Sequence, residues 1–196
     1  SGLTYNTLNQ ITAQTTVTTD SQLKTTQTET ARTYNTLGQF TGSSVQVREQ
    51  SLTGATLDHT YSIVTSGLTY NTLNQITAQT TVTVDGGITT TQTDDAVATR
   101  TYDAFGRLTY SSVTIHEIGT SPNGNLDHSY IVETTVNGYN LLNQILRQTS
   151  VTVDGGITTT QTDDFIAVRT YDILGRLTSS NVSINEFSIS STVPPM

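Results

Sequence analysis

The residues of this chain that could do chemistry are its histidines, its paired carboxylates and its rows of threonine. Leu-Asp-His-x-Tyr occurs twice, as Leu57-Asp58-His59-Thr60-Tyr61 and Leu126-Asp127-His128-Ser129-Tyr130. An Asp beside a His suggests a carboxylate orienting an imidazole for general acid-base work. On a strand, however, adjacent side chains leave on opposite faces, so Asp58 cannot pair directly with His59, nor Asp127 with His128. Both histidines are therefore read as structural or solvated. Asp94-Asp95 and Asp163-Asp164 offer oxygen ligands to calcium, but no loop sets a ligand at every second residue around a glycine, as a dedicated site does. They are expected to form bulges or solubilising edge charges. Thr77, Thr81 and Thr83, facing Thr89, Thr91 and Thr93 across a hairpin, could form a flat grid of methyls and hydroxyls for ice or a glycan. A solvated strand face of high β propensity reads the same way, Gln79 interrupts the row, and sheet twist works against flatness. No catalytic, cofactor-binding or metal-binding residue is assigned, and no cofactor is expected.

The elements that must position these residues are set by one phrase that returns six times, beginning at Tyr5, Tyr34, Tyr70, Tyr102, Tyr139 and Tyr171. After the Tyr comes Asn or Asp (Asp103 and Asp172 in two copies), two residues later Leu or Phe, then Gly or Asn. Asn or Asp at the first turn position can bond the backbone further on. Gly38, Gly106 and Gly175, alternating with Asn9, Asn74 and Asn143, tolerate the left-handed conformation of a bulged hairpin. Leu8, Leu37, Leu73, Phe105, Leu142 and Leu174 are apolar residues inside these turns and are expected to plug the end of a core.

The steps from Tyr to Tyr are 29, 36, 32, 37 and 32 residues, so the repeating unit is a pair of phrases. The array is expected over residues 1–187, with double units starting near 1, 66 and 135, followed by an extended tail at 188–196. Ile76, Ala78, Thr80, Val82 and Val84 alternate with polar residues, the period of a strand with one buried face. Asp85-Gly86-Gly87 and Asp154-Gly155-Gly156 read as hairpin turns, and the longer return arms place a bulge at Asp94-Asp95 and Asp163-Asp164. Val45 and Val47, Val113 and Ile115, and Val182 and Ile184 mark matched strand faces. Looser loops are expected at 51–56 and 119–125. The fold class is all-β: an antiparallel meander of about twelve long strands, without helices, coiled into a barrel-like or spiral shell.

Composition narrows the partners. A formal net charge of -8 and a pI near 4.5 argue against nucleic acid or an anionic membrane as a partner held by bulk charge. Cysteine is absent, which excludes disulfides and thiolate metal sites. No apolar run approaches the roughly 20 residues of a membrane-spanning helix. A membrane barrel would need a continuous apolar outer band where this chain has Thr, Gln, Ser and Arg, so membrane insertion is not expected. Ser1 to Thr18 is identical to Ser66 to Thr83, so the chain is expected to be an excerpt from a longer array. Its ends are expected to show strand edges able to associate end to end.

Tyr102-Asp103-Ala104-Phe105-Gly106-Arg107-Leu108 and Tyr171-Asp172-Ile173-Leu174-Gly175-Arg176-Leu177 resemble the core motif of the RHS or YD repeat, which Tyr34-Asn35-Thr36-Leu37-Gly38-Gln39 matches in part. The resemblance implies antiparallel hairpins wound side by side, with the Tyr on a strand and the Gly at the turn. It also implies a large secreted or surface protein of scaffold or adhesive type, and it carries over no catalytic residue. The expected role is a non-enzymatic structural segment of an extracellular or cell-surface protein, acting as scaffold, adhesin or filament-forming module. Its partners would be neighbouring repeats and other copies. The alternative is a glycan- or ice-binding module using the Thr-rich faces.

Overall fold

The computed structural model describes residues 2–54, 56–121 and 124–188. The expected tail beyond residue 188 and the tip of the loop expected at 119–125 lie outside the described residues. Fifteen strands form among the described residues, in sequence order: β1 (Leu3–Tyr5), β2 (Ile11–Thr19), β3 (Leu23–Tyr34), β4 (Phe40–Ser51), β5 (Asp58–Tyr70), β6 (Ile76–Asp85), β7 (Ile88–Asp94), β8 (Thr101–Tyr102), β9 (Leu108–Ser121), β10 (Gly124–Tyr139), β11 (Ile145–Asp154), β12 (Ile157–Asp163), β13 (Thr170–Tyr171), β14 (Leu177–Ser179) and β15 (Val182–Ser188). No helix occurs among the described residues. Twelve strands follow one another in one antiparallel path from β1 through β7, β9 to β12 and then β15. β8 pairs beside it on β9, while β13 and β14 form a sheet of two. The meander expected from the repeats is what folds, and its order is open, since β1 and β15 end the path without pairing each other.

The chain contacts gather into two units, residues 1–93 with 116–128, and residues 94–115 with 129–196. In the first unit, the strands β2 to β6 pair successively along lengths of six to eleven residues. In the second, β10 to β12 and β15 do the same. Threonine and valine supply these ladders because β-branched side chains suit a pleated surface. Asp85 pairs with Ile88 across Gly86 and Gly87, whose φ angles of 56° and 86° are those of a two-residue primed turn that matches strand twist. The same turn recurs at Gly155 and Gly156. Where the return arms are longer than the outgoing ones, β7 and β12 stop at Asp94 and Asp163, and the excess leaves the ladder as short loops. That is where the sequence placed it.

Burial departs from expectation. Val47, Leu68 and Val136 are the only hydrophobic residues buried among those described, and no side chain is completely enclosed. The six turn residues expected to plug a core are instead among the most exposed, from 72% for Leu8 and Leu174 to 82% for Phe105. The reason is local. The inner side of each turn is filled by the Asn or Asp side chain at its first position, which bonds the backbone beneath the apolar residue and turns the latter outward. With so little apolar burial, each unit depends on ladder hydrogen bonds and on polar pairs between neighbouring strands.

Register also changes the threonine reading. Thr83 lies opposite Thr90 and Thr81 opposite Gln92, whereas Thr89, Thr91 and Thr93 lie opposite Val84, Val82 and Thr80. Directly opposed residues share a face. The proposed grid is thus divided between the two faces of the hairpin, and Thr89, Thr91 and Thr93 share theirs with the valines.

Candidate functional site

The six Tyr turns form the most elaborate side-chain system of the molecule. In each, the residue after the Tyr is the anchor. Asn6 Oδ1 accepts from the N–H of Leu8 at 2.9 Å and of Gln10 at 3.0 Å, and Asn9 N–H donates to Asn6 O. Asn35, Asn71, Asp103, Asn140 and Asp172 make the same two bonds. The fourth position takes φ from 59° to 81° in all six copies, filled by Asn9, Gly38, Asn74, Gly106, Asn143 and Gly175. Gly106→Ala should therefore cost about 1–2 kcal/mol in thermal or urea unfolding, the ordinary cost of a left-handed non-glycine residue, while Asn9→Gly should be nearly neutral.

The fifth position completes the turn in one of two chemically matched ways. Where the anchor is Asn, the residue four on is Gln, and the anchor's Nδ2 donates to the Gln carbonyl, as from Asn6 to Gln10 at 2.7 Å and from Asn71 to Gln75 at 2.6 Å. Where the anchor is Asp, the residue four on is Arg, giving ion pairs from Arg107 to Asp103 and from Arg176 to Asp172, each with a closest approach of 2.6 Å. This exchange of a neutral for a charged pair sets the Asp103 and Asp172 copies apart from the other four, including Asn35 with Gln39 at 2.6 Å. Burial disfavours charge on Asp103, but the Arg107 N–H, its guanidinium and the Phe105 N–H outweigh it and hold the carboxyl below its ordinary value. The Arg176 N–H and guanidinium do the same for Asp172.

Two further contacts recur around most of the turns. Thr69 and Thr77, Thr101 and Thr109, and Thr170 and Thr178 each bring their hydroxyls to 2.8 Å across the hairpin base, and Thr4 with Thr12 and Thr33 with Thr41 to 3.0 Å. Gly138 and Leu146 stand at these positions in the remaining copy. The tyrosine then reaches beyond its own turn. Tyr34 Oη–H donates to Ile11 O at 2.8 Å, Tyr70 to Phe40 O, Tyr139 to Leu108 O and Tyr171 to Ile145 O, each acceptor being the residue just after the preceding turn. Burial raises the phenols of Tyr70 and Tyr139 above their ordinary value, so they remain neutral donors.

Turns are joined in the other direction by their fifth residue. Gln39 Nε2 donates to Asn74 Oδ1 of the next turn, and Gln10 Nε2 approaches Gly38 O. Arg107 reaches Asn140 O at 3.5 Å while its guanidinium lies 4.6 Å from the centre of the Tyr139 ring and 4.9 Å from that of Phe105. Arg107, Phe105, Tyr139 and Asn140 line a cleft of about 230 Å³ between these two turns. Tyr70→Phe should cost about 1 kcal/mol, because it removes one donor and leaves the Phe40 carbonyl without it. The urea midpoint checks that figure.

The remaining candidates are also held by structural partners. His59 and Asp58 do diverge, as neighbours on a strand must. Asp58 binds Arg48 through two bonds of 2.6 and 2.8 Å, while His59 Nε2 meets Asp85 Oδ1 at 3.0 Å across β5 and β6. His116 pairs with Asp127 at 2.9 Å. These His–Asp pairs are not legible along one strand, because they join residues across the ladder. Asp94 and Asp163 are not edge charges: their side chains are 2% and 3% exposed, and each lies 2.9 Å from an arginine, Arg100 and Arg169. Glu29 and Arg32 make the corresponding pair at 2.8 Å. Each arginine stands two residues before a Tyr, which is the signal that could have found them. Asp95 and Asp164 instead cap their loops, accepting from Val97 and Ala98 and from Ile166 and Ala167 at 2.7 Å. Each Asp-Asp dipeptide is thus divided between an arginine and a loop, and no group of three or more potential ligands that could hold a metal occurs among the described residues. Comparison with family models, curated proteins and solved structures finds no match.

Proposed function

We propose that this chain is a non-enzymatic structural repeat segment of a large extracellular or cell-surface protein, acting as scaffold, adhesin or filament-forming module. The observation that carries this reading is the turn ladder. The same anchor and fifth-position contacts recur from turn to turn, and His59, His116, Asp94 and Asp163 are each paired with a side chain of opposite character. An array joined through neighbouring repeats is suited to bearing load or spacing other domains. The Tyr-Asp-x-x-Gly-Arg resemblance adds the expectation of a surface location.

An antibody raised against this chain tests the location directly. Labelling of intact source cells is expected, and labelling confined to permeabilised cells would contradict it. The glycan- or ice-binding reading ranks second, because the hairpin register divides its threonines between two faces. A glycan array and a thermal-hysteresis measurement with Thr81→Ala/Thr83→Ala as control decide it: binding lost in that variant would reverse the order.

A further inference from the structure

We propose that a pocket on one face of strands β2, β3 and β4 binds a neutral hexopyranose, the terminal residue of a glycan. The inference deepens the adhesive element of the reading above, on which it rests for its biological setting, by naming a ligand class and the residues that take it. The pocket is a cavity of about 230 Å³ within the first unit, and its lining shares no residue with the threonine rows of the β6–β7 hairpin.

Strand register builds the pocket. Gln14 lies opposite Glu29, Glu29 opposite Val45, and Thr16 opposite Gln27. Opposed residues share a face, so these side chains rise from one side of the sheet. Arg32, three residues after Glu29, would leave a regular strand on the other side. A register shift between Glu29 and Ala31 sets Arg32 opposite Ser43 and returns it to the pocket face. The guanidinium then meets the Glu29 carboxylate through two contacts of 2.8 Å, with the Glu29 side chain 6% exposed. A further strand paired to β2 would lie in the plane of the sheet and leave this face as it is.

The lining selects the ligand. The charges of the Glu29–Arg32 fork cancel, which favours a neutral molecule, and the formal net charge of -8 works against an acidic sugar. The fork leaves the guanidinium further N–H donors and the carboxylate further lone pairs. The amides of Gln14 and Gln27 and the hydroxyls of Thr16 and Ser43 add groups that both donate and accept. A ligand matching such a wall must itself donate and accept at neighbouring positions. Vicinal hydroxyls do so, and a hexopyranose carries them around a single ring. Phe40 supplies the aromatic part of the wall, its ring centre 5.7 Å from the Arg32 guanidinium, and suits the C–H face of a sugar.

The second unit gives an internal contrast. Gln148, Gln161, Asp163 and Arg169 repeat the amides, the buried acid and the arginine, yet the cavity among them is about 40 Å³. Its acid is the shorter Asp, which holds the Gln148 N–H as well as Arg169. That volume admits a water or two and no sugar ring. Binding is therefore expected at one site per chain.

Titration of the whole isotope-labelled chain with the methyl glycosides of glucose, galactose and mannose, followed by NMR, tests the proposal. At least one is expected to bind with a Kd of about millimolar, the range of a single sugar in an open pocket, and to shift the backbone amides around the pocket alone. The affinity should not change with salt, and N-acetylneuraminic acid should not bind. Gln27→Ala, at an exposed strand position, should weaken binding about tenfold, the factor that one hydrogen bond carries, and Gln14→Ala/Gln27→Ala should abolish it. Circular dichroism of each variant separates loss of binding from loss of fold. No shift with any of the three glycosides overturns the proposal while leaving the scaffold reading in place. Binding unchanged in the double variant also overturns it, as does binding of the acidic sugar alone.

Discussion

Arg169→Met will lower the stability of the protein by about 3–5 kcal/mol, because it strands the Asp163 carboxylate where water cannot reach it. Asp163 is 3% exposed at its side chain and is held by the Arg169 guanidinium at 2.9 Å and the Gln148 N–H at 2.8 Å. Removing the cation leaves one backbone donor to hold a buried charge. Asp163→Leu combined with Arg169→Met should recover most of the loss, since a buried ion pair exchanged for apolar groups of similar size costs little. Arg48→Met is the control. Its pair with Asp58 is half exposed on both sides, at 51% and 53%, so the urea midpoint should hardly move. Equal losses at Arg48 and Arg169 would show that burial does not set the strength of these pairs.

Acid will unfold the protein in steps that follow its aspartates, and the neutral turns will not contribute. Asp103 and Asp172 are held below the ordinary carboxyl value of 3.8 by the donors of their turns, and Asp95, Asp164 and Asp20 by two backbone N–H groups each. A carboxyl whose folded value is depressed binds protons more readily when unfolded. Its contribution to stability is therefore complete above the unfolded value and is lost as pH falls through the folded one. Melting temperature should be level from neutral pH to about pH 5 and fall steeply below pH 4. Converting both charged turns to the neutral form, Asp103→Asn/Arg107→Gln with Asp172→Asn/Arg176→Gln, should shallow that fall while leaving the neutral-pH melting temperature nearly unchanged. A steeper acid transition in this variant would contradict the assignment.

The repeat architecture was open to reading from the sequence because turn chemistry is local. Asn or Asp at the anchor and Gly or Asn at the left-handed position specify the hairpin within five residues, and strand alternation on either side gives the rest. Three features were not legible in that way. The outward direction of Leu8, Leu37, Leu73, Phe105, Leu142 and Leu174 depends on the anchor side chain filling the inside of the turn, whereas an apolar residue in a sequence is ordinarily assigned to a core. The His59–Asp85 pair and the division of the threonines depend on register across strands, which a two-residue turn fixes only once Asp85 is known to face Ile88. The buried acids needed both a loop to be excluded from the ladder and an arginine to return to it. The covariation of Asp with Arg and Asn with Gln was present in the sequence as a spacing of four. It is visible once Asp103 with Arg107 is set beside Asn71 with Gln75.

The claim that side chains of this chain bind each repeat to its neighbours is tested most directly by adding one double unit. A chain in which residues 66–134 are duplicated in tandem should unfold at a higher urea concentration than the parent and in a single transition, because each added turn supplies a tyrosine rung and a fifth-residue contact to the next. An unchanged midpoint, or a separate transition for the added unit, would show that the repeats stand independently and would contradict the account.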